Sequence, residues 1–346
     1  MIDLSIVIPS YEASDCLEQC LASIADARQA HPEVSIEVIV VDNGSSEECV
    51  ALALGSALRP RVIAWLRNRG FAAAVNAGLR RRRGRHALLL NSDVRIDRDL
   101  LAQALEILDQ EPSVGVLGPA LFHPDGRPQR SVHPQPDLAT ELLPELVLRW
   151  LRPAGFALRG RAARERSSGN AGLRDVEAVR GAVFFIHGDT LRDVGLLDEG
   201  YFFFLEETDY CARVRAAGRR VVQAPSLRAE HRLGASSKRS APLATRIEFH
   251  RSLYRFHERR LGWAGAGSVR CVRLVRNLMS VATLCVPALF QARAQRRLAQ
   301  RWGLVLWHLR GRPAEPGLGR AFAGRSRGDP GQTRRPSAGA DGTPRP

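Results

Sequence analysis

The sequence is almost without lysine: Lys238 stands alone against 50 arginines in 346 residues. A bias that complete can follow from base composition, so no single arginine marks a site. The six cysteines (16, 20, 49, 211, 271, 285) form no CxxC pair. Cys16 and Cys20 fall four apart on an amphipathic pattern, where cysteine behaves as a small hydrophobe, which argues against a disulfide framework or a zinc ribbon. There is no GxxxxGK[ST], and no GxGxxG follows the first strand-like run, which argues against a Walker-type ATPase and a nicotinamide enzyme. Only 16 uncharged positions separate Arg276 from Arg293, short of the roughly 20 apolar residues that span a bilayer. No charged-then-apolar leader opens the chain, since Met1-Ile2-Asp3 runs straight into a strand-like segment. The expectation is a cytoplasmic protein.

What is present is the apolar share, 45%, and the charged share, 25%, of a globular protein. Net charge is +15, but residues 1–237 carry 29 basic and 31 acidic side chains while 238–346 carry 22 and 5. The whole excess belongs to the last third, so the two parts face different surroundings.

Apolar runs at 4–8, 36–41, 62–66 and 87–90 read as buried strands, separated by helical patterns at 14–25 (with Ser14 as a candidate cap), 46–57, 71–82 and 98–110. That alternation predicts an α/β fold, a mostly parallel sheet with helices on both faces. Residues 123–175 are rich in Pro, Arg and Gly and read as loops with a short helix near 138–151. A strand over 178–186, helices near 189–194 and 207–217, and a strand over 219–224 follow. The expected division is 1–237, a basic helical region 238–310, and a disordered tail 311–346 poor in large apolar residues.

In an open parallel sheet ligands bind beyond the carboxyl ends of the strands. Three such ends carry short polar groups: Pro9-Ser10-Tyr11-Glu12, Asp42-Asn43-Gly44-Ser45-Ser46 and Asn91-Ser92-Asp93. Each alone reads equally as a turn; three on one sheet edge point to a site. Asp93 can hold a divalent cation that neutralises a nucleotide diphosphate. A second cluster, FFFLEETD over 202–209, places Glu206 and Glu207 at a helix start, where the dipole tolerates anions. Being adjacent, the two point apart, and one can serve as a general base with a pKa raised by apolar surroundings. Asp209 and Arg213 have the spacing of a helical ion pair. His231, in AEHRLGASS, can complete a metal shell.

Taken in order, SIVIPSYEASDCLEQCLASI, EVIVVDNGSS, NRGFAAAVNAGL, LLLNSDV, PDGRPQRS, RGAVFFI, VGLLDEGYFFFLEETDYCARVRAAG and APSLRAEH resemble the family 2 glycosyltransferases of the GT-A fold, particularly bacterial rhamnosyltransferase-like members. The resemblance runs from residue 4 to about 237. It implies a nucleotide-diphosphate sugar donor, a glycan or lipid-linked acceptor, Mg²⁺ or Mn²⁺, and inversion. Asp42 matches the carboxylate on the base or ribose. Asn91-Ser92-Asp93 matches the DxD motif, with Asp93 the metal ligand. Glu207 matches the catalytic base, with Glu206 before it, and His231 matches a histidine that helps hold the metal–diphosphate. Pro9, Ser10, Tyr11, Glu12, Asn68, Asn76 and Gly181 fall in segments expected beside the nucleotide-sugar. Three departures stand out: Glu12 in place of Asn, Ala72–Ala74 in place of a glycine-rich run, and Asn91 in place of the first Asp.

Two other classes compete. The arginine-rich last third also fits a nucleic-acid or polyanion binder, though the slightly acidic first 237 residues oppose it, and no nucleic acid is expected. A sugar nucleotidyltransferase also uses a strand-end Asp, but opens with a glycine-rich loop where this chain has PSYEAS. Residues 238–300 carry 13 basic side chains against two acidic; segment 272–292 within them suits an interfacial helix, with an anionic membrane surface as the expected partner.

Overall fold

The fold, taken from a computed structural model, is described for residues 1–143, 172–232, 242–313 and 318. Strands and helices alternate through the first third: β1 (Leu4–Ser10), α1 (Ser14–Ala30), β2 (Ile36–Asp42), α2 (Glu47–Gly55), β3 (Arg61–Ala64), α3 (Phe71–Leu79), β4 (His86–Leu90), then the short β5 (Val94–Ile96) and α4 (Leu100–Gln110). After β6 (Val114–Phe122) come β7 (Pro128–Gln129), β8 (Val132–His133), α5 (Leu138–Leu142), β9 (Arg174–Asp175), β10 (Ala178–Val179), β11 (Val183–Ile186), α6 (Gly188–Asp193), α7 (Glu206–Ala216) and β12 (Arg220–His231). Two long helices close the described chain, α8 (Pro242–Ala288) and α9 (Ala292–Leu309).

The main sheet has the order β3-β2-β1-β4-β11-β6-β12-β5. It is parallel over β3-β2-β1-β4 and between β6 and β12, while β11 runs antiparallel to both its neighbours and β5 antiparallel to β12. The apolar runs are continuous because both faces are covered. Leu4, Ile6 and Ile8 join one core with Leu17, Leu21 and Ile24 of α1 and Leu101 and Leu108 of α4. Val7, Ile39, Val41 and Leu89 join the other with Val75 and Leu79 of α3 and Tyr210 and Val214 of α7. Each such side chain taken from water contributes about 1.5–3 kcal/mol.

Several sequence expectations are corrected. Ser14 is the first helical residue, Ala13 occupies the cap, and α1 continues to Ala30. The strand expected over 178–186 is two, because Arg180–Ala182 leave the sheet and β10 pairs instead with β8. The strand expected to end at 224 runs to His231, its pairing to β6 resuming after an irregularity between Ala224 and Arg228. All six cysteines are free thiols. The tail beyond 318, the rest of the expected 138–151 helix and the boundary at 237 lie outside the described residues.

The helical region packs on the sheet domain. Arg255 holds both carboxylate oxygens of Asp198 at 2.8 and 2.9 Å, and Ser252 Oγ–H donates to the Phe203 carbonyl at 2.8 Å. Within α8, Gly262 (φ 67, ψ −171) breaks the helix, and Arg270 of the second arm reaches back to Glu258 at 3.3 Å. The two arms and α9 form a small bundle around Ile247, Leu253, Val269 and Leu304.

Candidate active site

The parallel register brings the polar strand ends to one edge. Ser10 pairs with Asp42, and Val7 with Leu89 one residue before β4 ends, so Pro9–Tyr11, Asp42–Ser45 and Asn91–Asp93 emerge together. The β5–β12 pairing sets His231 opposite Val94, beside Asp93. A cavity of about 430 Å³ opens there. Pro9, Ser10, Tyr11, Asn68, Asn91, Ser92, Asp93, Gly181, Glu206, Glu207 and His231 all line it.

Three predicted site residues do not line it. Glu12 is exposed, and its backbone N–H donates to Ser45 Oγ at 2.9 Å. Asp42 is buried behind the lining, where its carboxylate accepts the Ser45 N–H at 3.2 Å and shapes the turn. Asn76 is a fastener: its amide donates to the Leu197 carbonyl and to Glu199 at 2.8 and 2.9 Å and accepts from the Leu197 N–H at 3.0 Å. With donors and acceptor occupied and only 1% exposure, it has nothing left for a ligand.

The metal-side pair is His231 and Asp93, 3.3 Å from Nε2 to Oδ1. Gln129 donates from its amide nitrogen to the His231 carbonyl at 3.2 Å, which turns its amide oxygen toward Nδ1 at 2.7 Å. That oxygen only accepts, so Nδ1 carries a proton and Nε2 is the ring nitrogen turned toward Asp93, with the ring held in a fixed orientation. Asn91 Oδ1 is buried without a hydrogen-bond partner beside it. Among the described residues no cluster of three His, Cys, Asp or Glu exists, so a cation here needs further oxygen ligands from a bound diphosphate. With that addition the donor set fits Mg²⁺ or Mn²⁺.

The carboxylate side is set by backbone strain. Phe204 and Leu205 both lie at positive φ, 74° and 65°, in a region costing bulky residues about 1–3 kcal/mol each. They turn the chain so that α7 begins inside the cavity with Glu206 and Glu207. Glu206 is 5% exposed, and burial first, then the charges of Glu207 and Glu248, push its carboxyl well above the ordinary range. The upward shift foreseen for a base thus falls on Glu206. Glu207 Oε2 is buried without a hydrogen bond. Gly181 packs beside it: a Cβ there would lie 3.4 Å from Glu207 Cβ and Cγ, an ordinary van der Waals contact. Asp209 and Arg213 form the expected ion pair at 2.9 Å.

Sequence reading assigned no site role to several lining residues, among them His133, Arg180, Asn43 and Phe249. His133, in a stretch read as loop, meets Thr208 Oγ1 at 2.8 Å, and burial lowers its pKa. Arg180 and Asn43 sat inside recognised segments without an assigned role. Phe249 of α8 extends the wall through the ring series Phe71–Phe203–Phe204–Phe249, at centroid distances of 6.2, 4.5 and 5.9 Å. Gly70 (φ 95) permits this series: Phe71 N–H donates to the Phe202 carbonyl at 2.7 Å, and a Cβ at Gly70 would strike that same oxygen at 2.7 Å.

Residues 5–176, about half the chain, match the family model Glycosyl transferase family 2. The chain is 34% identical over 122 residues to a dolichyl-phosphate beta-glucosyltransferase of Drosophila melanogaster, covering 32% of this chain and 37% of that protein. It is 26% identical over 272 residues to an N-acetylglucosaminyl-diphospho-decaprenol L-rhamnosyltransferase of Mycobacterium tuberculosis, covering 75% of this chain and 86% of the relative. Among solved structures, a mannosyltransferase from Pyrobaculum calidifontis in complex with GDP-Man and Mn²⁺ superposes with a TM-score of 0.51 at 15% identity, over 89% of this chain and 86% of that one; the likeness is one of fold. The chain has the GT-A fold, is similar to a rhamnosyltransferase, and belongs to glycosyltransferase family 2.

Proposed function

We propose that this chain moves a sugar, with inversion at the anomeric carbon, from a nucleotide-diphosphate sugar to a hydroxyl of a glycan or lipid-linked acceptor. The observation that carries the reading is the Glu207 carboxylate: Oε2 is buried, makes no hydrogen bond, and belongs to the same cavity wall as Asp93 and His231. Glu207 takes the acceptor hydroxyl proton while that oxygen attacks. Burial favours the protonated form of Glu206, which leaves Glu207 as the base. Asp93 and His231 would hold Mg²⁺ or Mn²⁺, which when bound supplies Lewis-acid stabilisation to the departing diphosphate. The fly and mycobacterial relatives both name a prenol lipid, which favours a lipid-linked acceptor, and rhamnose is the sugar the mycobacterial name suggests. The site of action is then the cytoplasmic face of the plasma membrane.

A thermal-shift screen of UDP, dTDP and GDP with their sugars, with and without Mn²⁺, tests the reading. A manganese-dependent rise for one nucleotide class supports it and names the donor. Equal rises with and without Mn²⁺ would remove Asp93 and His231 from a metal role. Failure of transfer from every donor class tested, to both water-soluble and lipid-linked acceptors, would overturn it.

A further inference from the structure

Three contacts fix how far α8 and α9 reach. Arg246 Nε–H donates to Gln300 Oε1 at 3.1 Å, a Cβ at Gly303 would meet Leu243 at 2.8 Å, and Arg301 donates to Asn277 Oδ1 at 2.8 Å. The start of α8 is therefore level with Asn277 and with residues 300–303. Residues 278–288 of α8 and 292–299 of α9 project past that level as a two-helix arm, joined through 289–291. The arm leaves from the cavity end of the bundle, since Phe249, close to Arg246 on α8, belongs to the cavity wall.

The arm's surface is apolar at its tip. Met279, Val286, Leu289 and Phe290 are 64%, 66%, 74% and 81% exposed, and no charge interrupts residues 277–292. Behind the tip, Arg293, Arg296 and Arg297 are exposed and have no acidic partner among the described residues. A convex apolar tip with unpaired guanidinium groups at its base matches a lipid surface: acyl chains cover the tip while anionic headgroups meet the arginines. Among the described residues the one helix long and apolar enough to cross a membrane is α8, but it is broken at Gly262 and packed in the bundle as far as Asn277. The free part, 278–288, is about 16 Å long, enough for an interfacial depth of about 5–10 Å and too short for the ~30 Å hydrocarbon core.

We infer that the α8–α9 arm anchors the protein to an anionic leaflet, with Val286, Leu289 and Phe290 in the headgroup–acyl boundary and Arg293, Arg296 and Arg297 on the headgroups. Resting on the transferase reading above, this names the acceptor class as a lipid-linked glycan presented by that leaflet beside the cavity.

Flotation of the full chain with vesicles of equal parts phosphatidylcholine and phosphatidylglycerol tests the inference. Wild type is expected to float and to be released by high salt. The triple variant Val286→Ser, Leu289→Ser, Phe290→Ser, which changes only surface side chains, is expected to partition at least about tenfold more weakly. Arg293→Glu with Arg296→Glu and Arg297→Glu is expected to remove the preference for anionic over pure phosphatidylcholine vesicles. Wild type left unfloated, or the serine variant floating equally, overturns the inference. So does lipid-free dimerisation that the serine variant abolishes, which would make the tip a protein interface. Retention through high salt and alkaline washing would replace interfacial docking by a span. The manganese-dependent nucleotide shift on the same preparations separates the two readings: its loss with flotation intact fails the transferase alone, and lost flotation with the shift intact fails the anchor alone.

Discussion

His231 Nε2 lies 3.3 Å from Asp93 Oδ1, and its other ring nitrogen is fixed by Gln129 at 2.7 Å. The pair is built by strand register: β12 sets His231 opposite Val94, and Gln129 reaches across from β7. Asp93→Ala and His231→Ala are each expected to abolish the manganese-dependent nucleotide shift. Gln129→Ala, which frees the ring without removing a ligand, is expected to weaken Mn²⁺ affinity by about 10–100-fold. Isothermal titration of Mn²⁺ in the presence of the nucleotide checks this, and unchanged affinity in Gln129→Ala would leave it no orienting role.

Glu207→Gln keeps the shape of the cavity wall and removes only the carboxylate. Transfer is expected to fall by at least about 10²–10⁴-fold with the unfolding midpoint unchanged. Activity within about threefold of wild type would take Glu207 out of the role.

Glu206 binds its proton more tightly in the folded chain than in the unfolded one, where its value is near 4.5. Between 4.5 and the raised folded value the native state holds the extra proton, so stability falls as pH rises through that window and levels off above it. Each unit of elevation corresponds to about 1.4 kcal/mol at the alkaline end. Glu206→Gln carries no such proton and is expected to flatten the alkaline decline. Denaturant unfolding of both proteins across the window measures the difference, and parallel curves would show Glu206 ionised in the fold.

Asn76→Ala separates fastening from binding. The change leaves the Leu197 N–H and carbonyl without their buried partner, at a cost of about 1–3 kcal/mol. A lowered unfolding midpoint with the donor KM unchanged at low temperature is expected. A raised KM with an unchanged midpoint would return Asn76 to the donor site.

Much of the frame was legible in the chain. The runs at 4–8, 36–41 and 87–90 are continuous because both faces of those strands are buried, and a buried strand has no polar face to interrupt it. That Asp93 and Glu207 line the cavity was legible for a related reason: short polar or acidic groups directly after an apolar run mark an element's end at a sheet or helix edge. Asn76 was misplaced because its amide is occupied by Leu197 and Glu199, partners more than a hundred residues away that no local pattern announces. His133 and Phe249 were missed for the same reason.

The sequence by itself determined the alternation of strands and helices, the polar strand ends and the charge division, because each depends on neighbours within a few residues. Only the tertiary structure decided that burial raises the Glu206 carboxyl, since nothing in the local sequence says what packs around it. It also decided that residues 278–299 stand free as an arm, because the packing of α8 on α9 stops where Arg246 meets Gln300 and Asn277 meets Arg301.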